Sequence, residues 1–348
     1  MYNHDKYTLP SNTDLIDVLK KIDSLSITQT VFIKDENGKI LCTITDGDIR
    51  RGFINGLSLS DSILDFGNKN FSFIEEGKNN YDKLKTFRKK RLKAVPLLNE
   101  NGELIKIINF SKVKSILPID AVIMAGGLGS RLKPHTNIVP KPLLKIGGKE
   151  IISYNFDRLH QFGIDNQYIT INYLGEQIED FCSSYNDKIN FQLIREKEFL
   201  GTAGALSLIK EFNNDTVLLM NSDLLTNIDY EDFYKSFIDK KADMMVASIP
   251  YPINLPYAIF ELNNSDVVSF KEKPSYTYYA NAGIYLIKKD LIKSIPKDNF
   301  FNATDLMELV INSDKKLIHY PIRGYWLDIG KHEDFEKAQR DIAHINWD

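Results

Sequence analysis

From Ala121 to Pro142 the chain reads AVIMAGGLGSRLKPHTNIVPKP, an apolar stretch that runs straight into Ala125, Gly126, Gly127, Gly129, Ser130 and Arg131. Glycines at such a point let the backbone turn tightly and bring N–H donors close to anionic oxygens. Arg131 adds a planar donor fork and Lys141 a compact point charge, a pair suited to phosphate oxygens. The loop is neither of the common nucleotide loops. A Walker A loop would carry GK[ST] after its glycine, and a dinucleotide fingerprint would carry glycine where Leu132 stands. The glycines alone would serve as well for a plain surface turn, but the joint pattern G-G-x-G-S-R-L-x-P followed by P-K-P points to a phosphate cradle.

A loop of this kind needs a strand before it and a crevice around it. From Ala121 onward the sequence predicts strands at Ala121 to Ala125, Gln167 to Asn172, Asn190 to Arg195, Val217 to Met220, Met244 to Ile249, Ala258 to Leu262 and Ala282 to Ile287. Helical periodicity falls between most of them, at Ile151 to Phe162, Ala203 to Phe212 and Tyr230 to Lys240. Such alternation favours a mainly parallel α/β sheet covered on both faces, with its ligand crevice beyond the carboxyl ends of the strands. The proline-rich stretch IPYPINLP, residues 249 to 256, reads as a loop over a substrate or as a plain connection.

Ahead of this region lies a weak repeat. IKDENGKILCTITDGDI, from Ile33, aligns with LLNENGELIKIINFSKV, from Leu97, at an offset of 64 residues. Each copy reads strand, turn, strand, helix, with Asn37-Gly38 and Asn101-Gly102 at tight hairpin positions. Helix-periodic stretches precede both hairpins, Leu15 to Ile22 and Tyr81 to Lys90. One copy could hardly bury its own sheet face, so two should pack as one small α+β unit. The expected domains are 1–117 and 118–348.

Composition narrows the partners. Over 348 residues, Lys+Arg 44 against Asp+Glu 47 gives a formal charge of -3, with no basic field for a nucleic acid. No apolar run approaches the roughly 18 residues that a bilayer requires, and the first ten residues are too polar for a secretory signal, so a cytoplasmic protein without membrane contact is expected. Cys42, Cys182 and the six histidines show no metal-ligand spacing.

The glycine loop and a series of ordered later segments resemble the sugar nucleotidyltransferase family, which joins a nucleoside triphosphate to a sugar 1-phosphate and releases pyrophosphate. Those segments are EKEFLGTAG at 196–204, LMNSD at 219–223, FKEKP at 270–274, NAGIY at 281–285 and GYWLDIG at 324–330. The resemblance covers Ala121 to about Ala338 and implies a Rossmann-like fold. It implies that the loop backbone and Arg131 hold the triphosphate and that Lys141 bridges toward the reacting phosphates. It also implies that Asp223 and Asp328 hold Mg²⁺. No nucleophilic triad is required, because a sugar phosphate with a second pKa near ~6 is already largely dianionic at neutral pH. The protein must instead overcome repulsion between two anions and align them at the α-phosphorus.

Within the same resemblance Glu196, Leu200 and Gly201 lie at the nucleobase. A carboxylate accepts both adjacent donors of guanine, whereas uracil or thymine would suit a mixed amide, so Glu196 favours GTP; it would equally serve as a charged residue ending a strand. Glu272, Lys273 and Asn281 fall at the hexose, as does Ala258, where many relatives have glycine after the tyrosine that Tyr257 matches.

Residues 1 to about 115 resemble a paired CBS module, a fold that often binds adenine nucleotides. Its best ligand candidates are Thr45, Asp48 and Arg50 (or Arg51), although Thr45-x-x-Asp48 ahead of a helix also has the form of a capping box. The second copy has Asn109 and Lys112 at the equivalent places, which implies at most one complete site of this type. A CBS pair fused ahead of such a transferase is similar to the guanylyltransferases that activate glucosamine 1-phosphate for legionaminic-acid-type surface sugars. N-acetylglucosamine 1-phosphate, mannose 1-phosphate with GTP, and glucose 1-phosphate with UTP or dTTP remain alternatives. So does a non-catalytic nucleotide-sugar sensor. A homo-oligomer is expected.

Overall fold

A computed structural model describes residues 6–25, 29–76, 80–110, 113–185 and 189–347. The chain divides into two compact units, Met1–Ile116 and Leu117–Asp348. Lys112 lies outside the described residues.

In the first unit the repeat is visible in the hydrogen-bond register. Strands Thr30–Lys34 and Ile40–Thr45 pair antiparallel from Thr30↔Thr45, and strands Ala94–Leu98 and Leu104–Asn109 pair from Ala94↔Asn109, the same positions 64 residues on. Both hairpins shift register at the equivalent place, Ile33/Lys34 and Leu97/Leu98. Helices Leu15–Ser24 and Tyr81–Lys89 precede them. Phe32 and Ile40 of the first copy share a buried cluster with Leu98 and Ile107 of the second, so neither copy closes its core alone.

The second unit is built on a seven-stranded sheet, numbered here in chain order: β1 Ile119–Met124, β2 Asn166–Ile171, β3 Asn190–Arg195, β4 Thr216–Asn221, β5 Met244–Asn254, β6 Ser275–Lys288 and β7 Leu317–Pro321. Their spatial order is β3-β2-β1-β4-β6-β5-β7, with β6 antiparallel to both neighbours and the rest parallel. Apart from Asp120 in β1 and Thr216 and Asn221 in β4, these two strands are apolar because both of their faces are covered. Ala121, Ile123, Leu218 and Met220 face one core with Ile152, Phe156, Phe233 and Phe237. Val122, Val217 and Leu219 face the other with Leu306 and Val310. Apart from Ala121, each such side chain contributes on the order of 1.5–3 kcal/mol by leaving water. The covering helices present one apolar stripe each: α1 Ile151–Gln161, α2 Gly175–Tyr185 and α3 Tyr230–Asp239 on the first face, and α4 Ala303–Ile311 on the second. Asp229 caps α3 by accepting from the N–H groups of Glu231 and Asp232.

Two expectations are corrected. Ala203 to Phe212 does not form an α-helix; only a 3₁₀ turn, Gly204–Leu208, is present. The N–H groups of Ala203 and Gly204 donate to the carbonyl of Phe301 at 2.9 and 2.8 Å, so the start of this segment is held by a distant part of the chain. Nor is IPYPINLP a loop: Ile249 to Asn254 continue β5 and pair with Ser275 to Ala280 of β6. Pro250 and Pro252 are tolerated there because this part of β5 is paired on one edge only, β7 ending opposite Ser248. Among the described residues, no helix is long and apolar enough to cross a membrane.

Candidate active site

β1 and β4 are adjacent and end level with each other, Met124 opposite Asn221. The chain leaves β1 toward β2 on one side and reaches β4 on the other, so a crevice opens at this point. Here lies a cavity of about 460 Å³, lined by the glycine loop, Arg131, Lys141, Glu196, Gly201 and Asp223 among others. Ala125 is fixed by donating its N–H to the Thr170 carbonyl at 3.0 Å. Gly129 adopts φ +59°, and a Cβ there would lie 3.0 Å from Thr136 Cγ2 and 3.1 Å from Lys141 Cβ. Gly126 is equally constrained, since its Cβ would come within 2.9 Å of Glu196 Oε1. Gly127 faces open space. The loop thus packs closely behind and leaves its front clear, as close approach of an anion requires.

Asp223 and Asp328 meet through a small ladder. Strand Leu224–Thr226 pairs antiparallel with Trp326–Asp328, placing Leu224 opposite Asp328, and Ile329 N–H donates to the Asp223 carbonyl at 3.1 Å. Lys141, itself buried, is ion-paired with Asp223 and has Nζ 3.9 Å from Asp328 Oδ1. Oδ1 of both aspartates is buried with no hydrogen-bond partner. Burial first, and then the Asp223 charge, push the Asp328 carboxyl up to about 6 against the pull of Lys141 and Arg131. Two convergent carboxylates, each with an unsatisfied oxygen, fit a hard divalent cation that takes its remaining ligands from water and phosphate. No cluster of three or more His, Cys, Asp or Glu suited to a metal occurs among the described residues, so the protein would offer an incomplete shell.

Glu196 follows β3 and is buried. Its Oε2 accepts from the Leu200 N–H at 2.9 Å, and its carboxyl is raised, chiefly by burial. It therefore organises the 196–204 loop while lining the cavity. Leu200 is buried and is not among the described lining residues, whereas Gly201, at φ +80°, is. A Cβ on Gly201 would lie 2.8 Å from the Phe301 carbonyl oxygen.

The hexose candidates lie apart. None of Ala258, Glu272, Lys273 and Asn281 is among the described residues lining this cavity. Asn281 is held by donating to Tyr285 Oη at 2.8 Å and accepting from Gly283 N–H at 2.9 Å. Gly283 abuts Asn221, its Cβ position being 2.8 Å from Asn221 Nδ2, so Asn281 is two residues from the cavity wall. Ala258, Glu272 and Lys273 lie in the exposed excursion between β5 and β6. Thr170, Asn172, Phe199 and Thr202, which the sequence does not single out, also line the cavity, as does Asn221 of the 219–223 segment. The rule that ligands collect beyond the carboxyl ends of parallel strands points to Asn172 as it does to Asn221.

In the first unit, Thr45 and Asp48 form a full capping box on helix Asp46–Ile54. Asp48 Oδ2 accepts from the Thr45 N–H at 2.9 Å and hydroxyl at 2.6 Å, and Oδ1 from Arg51 at 2.5 Å. Thr45, Asp48, Arg50 and Arg51 nevertheless line a cavity of about 540 Å³ that also holds Arg91 and Lys93.

Residues 120–345 match the nucleotidyl transferase family, and residues 2–55 match the CBS domain. D-glycero-alpha-D-manno-heptose 1-phosphate guanylyltransferase of Aneurinibacillus thermoaerophilus is 29% identical over 65% of this chain and 99% of its own length. Probable mannose-1-phosphate guanylyltransferase 1 of Oryza sativa is 30% identical, matching 62% of each chain. The crystal structure of HddC from Yersinia pseudotuberculosis superposes with a TM-score of 0.51 at 27% identity, over 64% of this chain and 99% of that one. The glycine loop, the strand-end carboxylates and these matches agree: the chain belongs to the nucleotidyl transferase family, as a sugar-1-phosphate nucleotidyltransferase with a CBS domain ahead of it.

Proposed function

We propose that the protein joins GTP to a hexose 1-phosphate, giving GDP-sugar and pyrophosphate. The observation that carries this reading is the convergence of the glycine loop, Arg131 and Lys141 on the Asp223–Asp328 pair, in one crevice. The loop N–H groups and Arg131 bind the triphosphate oxygens. Lys141 lies between the loop and the carboxylates and offsets charge that builds where the two anionic reactants meet. The sugar phosphate attacks the α-phosphorus through its own oxygen; the bond to the β-phosphate breaks, and pyrophosphate leaves with its electron pair. No side chain has to take a proton from the nucleophile. Asp223 and Asp328 would hold Mg²⁺, which when bound withdraws negative charge from the phosphates.

Guanine is supported by the buried Glu196 carboxylate and by the guanylyltransferase names of the relatives. The sugar is glucosamine 1-phosphate or its N-acetyl form on the argument from domain order, which points to surface-glycan synthesis. The relatives favour mannose or heptose 1-phosphate to the same degree. The cationic cavity of the first unit would take an adenine nucleotide through Arg50 and its neighbours. The deciding experiment is pyrophosphate release with Mg²⁺, four nucleoside triphosphates and a panel of hexose 1-phosphates. Release that needs GTP and one sugar phosphate together is expected; nucleotide binding with no release for any pair would make the protein a sensor instead.

A further inference from the structure

Asp328, Gly330 and His332 alternate along a short segment that the fold holds at both ends. Trp326–Asp328 is paired with Leu224–Thr226, and Ile329 is fully buried. Helix α5, His332–Asp341, follows directly, with the Lys331 N–H donating to Asp334 Oδ2 at 3.1 Å. Asp328 belongs to the carboxylate pair. Gly330 lies against Arg131: a Cβ there would be 3.4 Å from Nη2 and 3.5 Å from both Cζ and Nη1. His332 Nε2 is 2.9 Å from the Lys133 carbonyl oxygen, and since a carbonyl only accepts, the ring donates.

Arg131 needs such support. It is exposed, and among the described residues no hydrogen bond or ion pair engages its guanidinium, so all five donors stay available to a ligand. A long side chain left free gives up its rotamer freedom when a ligand fixes it, and restricting it beforehand lowers that cost. Gly330 restricts the side chain. Near-equal distances to three atoms of one plane put its Cβ position over the flat of the guanidinium, which therefore lies face-down on the Gly330 backbone. Gly330 is buried and is not among the positive-φ glycines. Room, not backbone conformation, is what this glycine supplies: a γ atom would stand where the guanidinium lies.

His332 restricts the backbone. Arg131 is the middle residue of the 3₁₀ turn Ser130–Leu132. The turn is fixed in front by Thr136 Oγ1 donating to the Gly129 carbonyl at 2.9 Å, and at its end by Leu132, buried in one cluster with Leu327 and Ile329. Behind it, the Lys133 N–H reaches the Ser130 carbonyl only at 3.4 Å, and the Lys133 carbonyl is the group that His332 takes. His135 stacks on Phe335 of the same helix, with ring centroids 5.7 Å apart. The first turn of α5 thus grips the chain just past Arg131.

We propose that Gly330 and His332 are positioning residues for Arg131, and that they act on the triphosphate and not on the sugar phosphate. The inference rests on the transferase reading above, in which Arg131 holds the triphosphate. Asp328, the floor under Arg131 and the clamp behind it all lie within residues 328–332, so the carboxylate pair and the guanidinium are set relative to each other by one run of chain.

The test uses the full chain with His332→Ala, His332→Gln, Gly330→Val and Arg131→Ala, and with the first and third each combined with Arg131→Ala. Titration without sugar gives Kd for the nucleoside triphosphate that wild type binds most tightly, pyrophosphate release gives KM for the hexose 1-phosphate, and melting curves report folding. Arg131→Ala is expected to raise the triphosphate Kd at least about tenfold, the worth of a charge-assisted contact, and Gly330→Val to match it. His332→Ala should raise it about fivefold, the worth of one neutral hydrogen bond. His332→Gln, whose Nε2 donates from nearly the same place, should recover most of that loss. In the Arg131→Ala background neither second substitution should add to the loss, and sugar-phosphate KM should stay within about twofold for His332→Ala. Additive losses, a glutamine variant as weak as the alanine one, or an equal rise in sugar-phosphate KM would each overturn the proposal, as would a wild type that binds no triphosphate. If Gly330→Val does not fold, the His332 series decides. If wild type binds a triphosphate but releases no pyrophosphate with any sugar phosphate, the transferase reading fails, and the Kd series still decides whether His332 acts through Arg131.

Discussion

The two cavities of this chain differ most in what their carboxylates are already doing. In the first unit both oxygens of Asp48 are spent on Thr45 and Arg51, inside one helix start. In the second, Asp223 and Asp328 each keep a buried oxygen with no hydrogen-bond partner, and Lys141 is shared between them. Both sites hold arginine and lysine side chains and both are concave, so shape and the presence of cations alone do not separate them. Satisfaction does: a buried polar atom without a partner costs free energy that folding does not return, and a ligand recovers it. Asp48 already has its stabilising partners, whereas each aspartate of the pair keeps an oxygen that a bound group would satisfy.

Removing one member of that pair should have the largest effect. Asp223→Ala is expected to lower kcat for pyrophosphate release by at least about 10³, on the scale of losing a main electrostatic stabiliser, with no loss of thermal stability. Assay and melting curve on one preparation check this. Residual turnover within tenfold of wild type, or an equal loss in Asp48→Ala, would erase the contrast between the sites. Next in size is the base. Glu196→Gln swaps one acceptor oxygen for a donor, and should reduce kcat/KM with GTP by about 10–100-fold while the preference for UTP or dTTP rises. An unchanged ratio among triphosphates would leave Glu196 only as the holder of the Leu200 N–H.

A pH experiment sharpens the same comparison. The Asp328 carboxyl, at about 6 in the folded protein, stands above the ordinary carboxylate value of ~3.9. The native state therefore holds more protons than the unfolded chain between those values, and the stabilising contribution of protonated Asp328 is lost as pH rises through about 6. Without metal, Asp328→Asn should gain melting temperature relative to wild type from pH ~4 to pH ~7. The difference should shrink when Mg²⁺ and GTP are added. A constant difference across that range would mean that the pair is already compensated.

Much of this was legible in the sequence because it is local. The glycine loop, the apolar runs of β1 and β4 and the 64-residue repeat each lie in one stretch of chain, where residue type dictates conformation directly. What could not be read depends on partners distant in the chain. Asp223 and Asp328 meet because Leu224–Thr226 pairs with Trp326–Asp328. Ala203 and Gly204 are held by the Phe301 carbonyl, about 100 residues away in the chain, and the segment forms only a 3₁₀ turn. The prolines at 250 and 252 suggested a loop, and the ladder accepted them because one edge of β5 is unpaired there. Thr45 and Asp48 fitted two readings in sequence; the capping box is present, and the cavity beside it is present as well.

The smallest predicted effect separates those two roles. Deleting the box with Asp48→Ala should cost about 1 kcal/mol, the usual value of an N-cap, and lower the melting temperature of the first unit by a few degrees. Because both Asp48 oxygens already accept from Thr45 and Arg51, ATP or AMP affinity should change less than about threefold. Arg50→Ala should behave in the opposite way, leaving the melting temperature in place while weakening nucleotide by about tenfold or more, the worth of one charge-assisted contact. Differential scanning fluorimetry with and without nucleotide reads both quantities at once. If Asp48→Ala abolishes binding with no change in melting temperature, the carboxylate reaches the ligand, and the distinction between a satisfied and an unsatisfied site does not hold for this cavity.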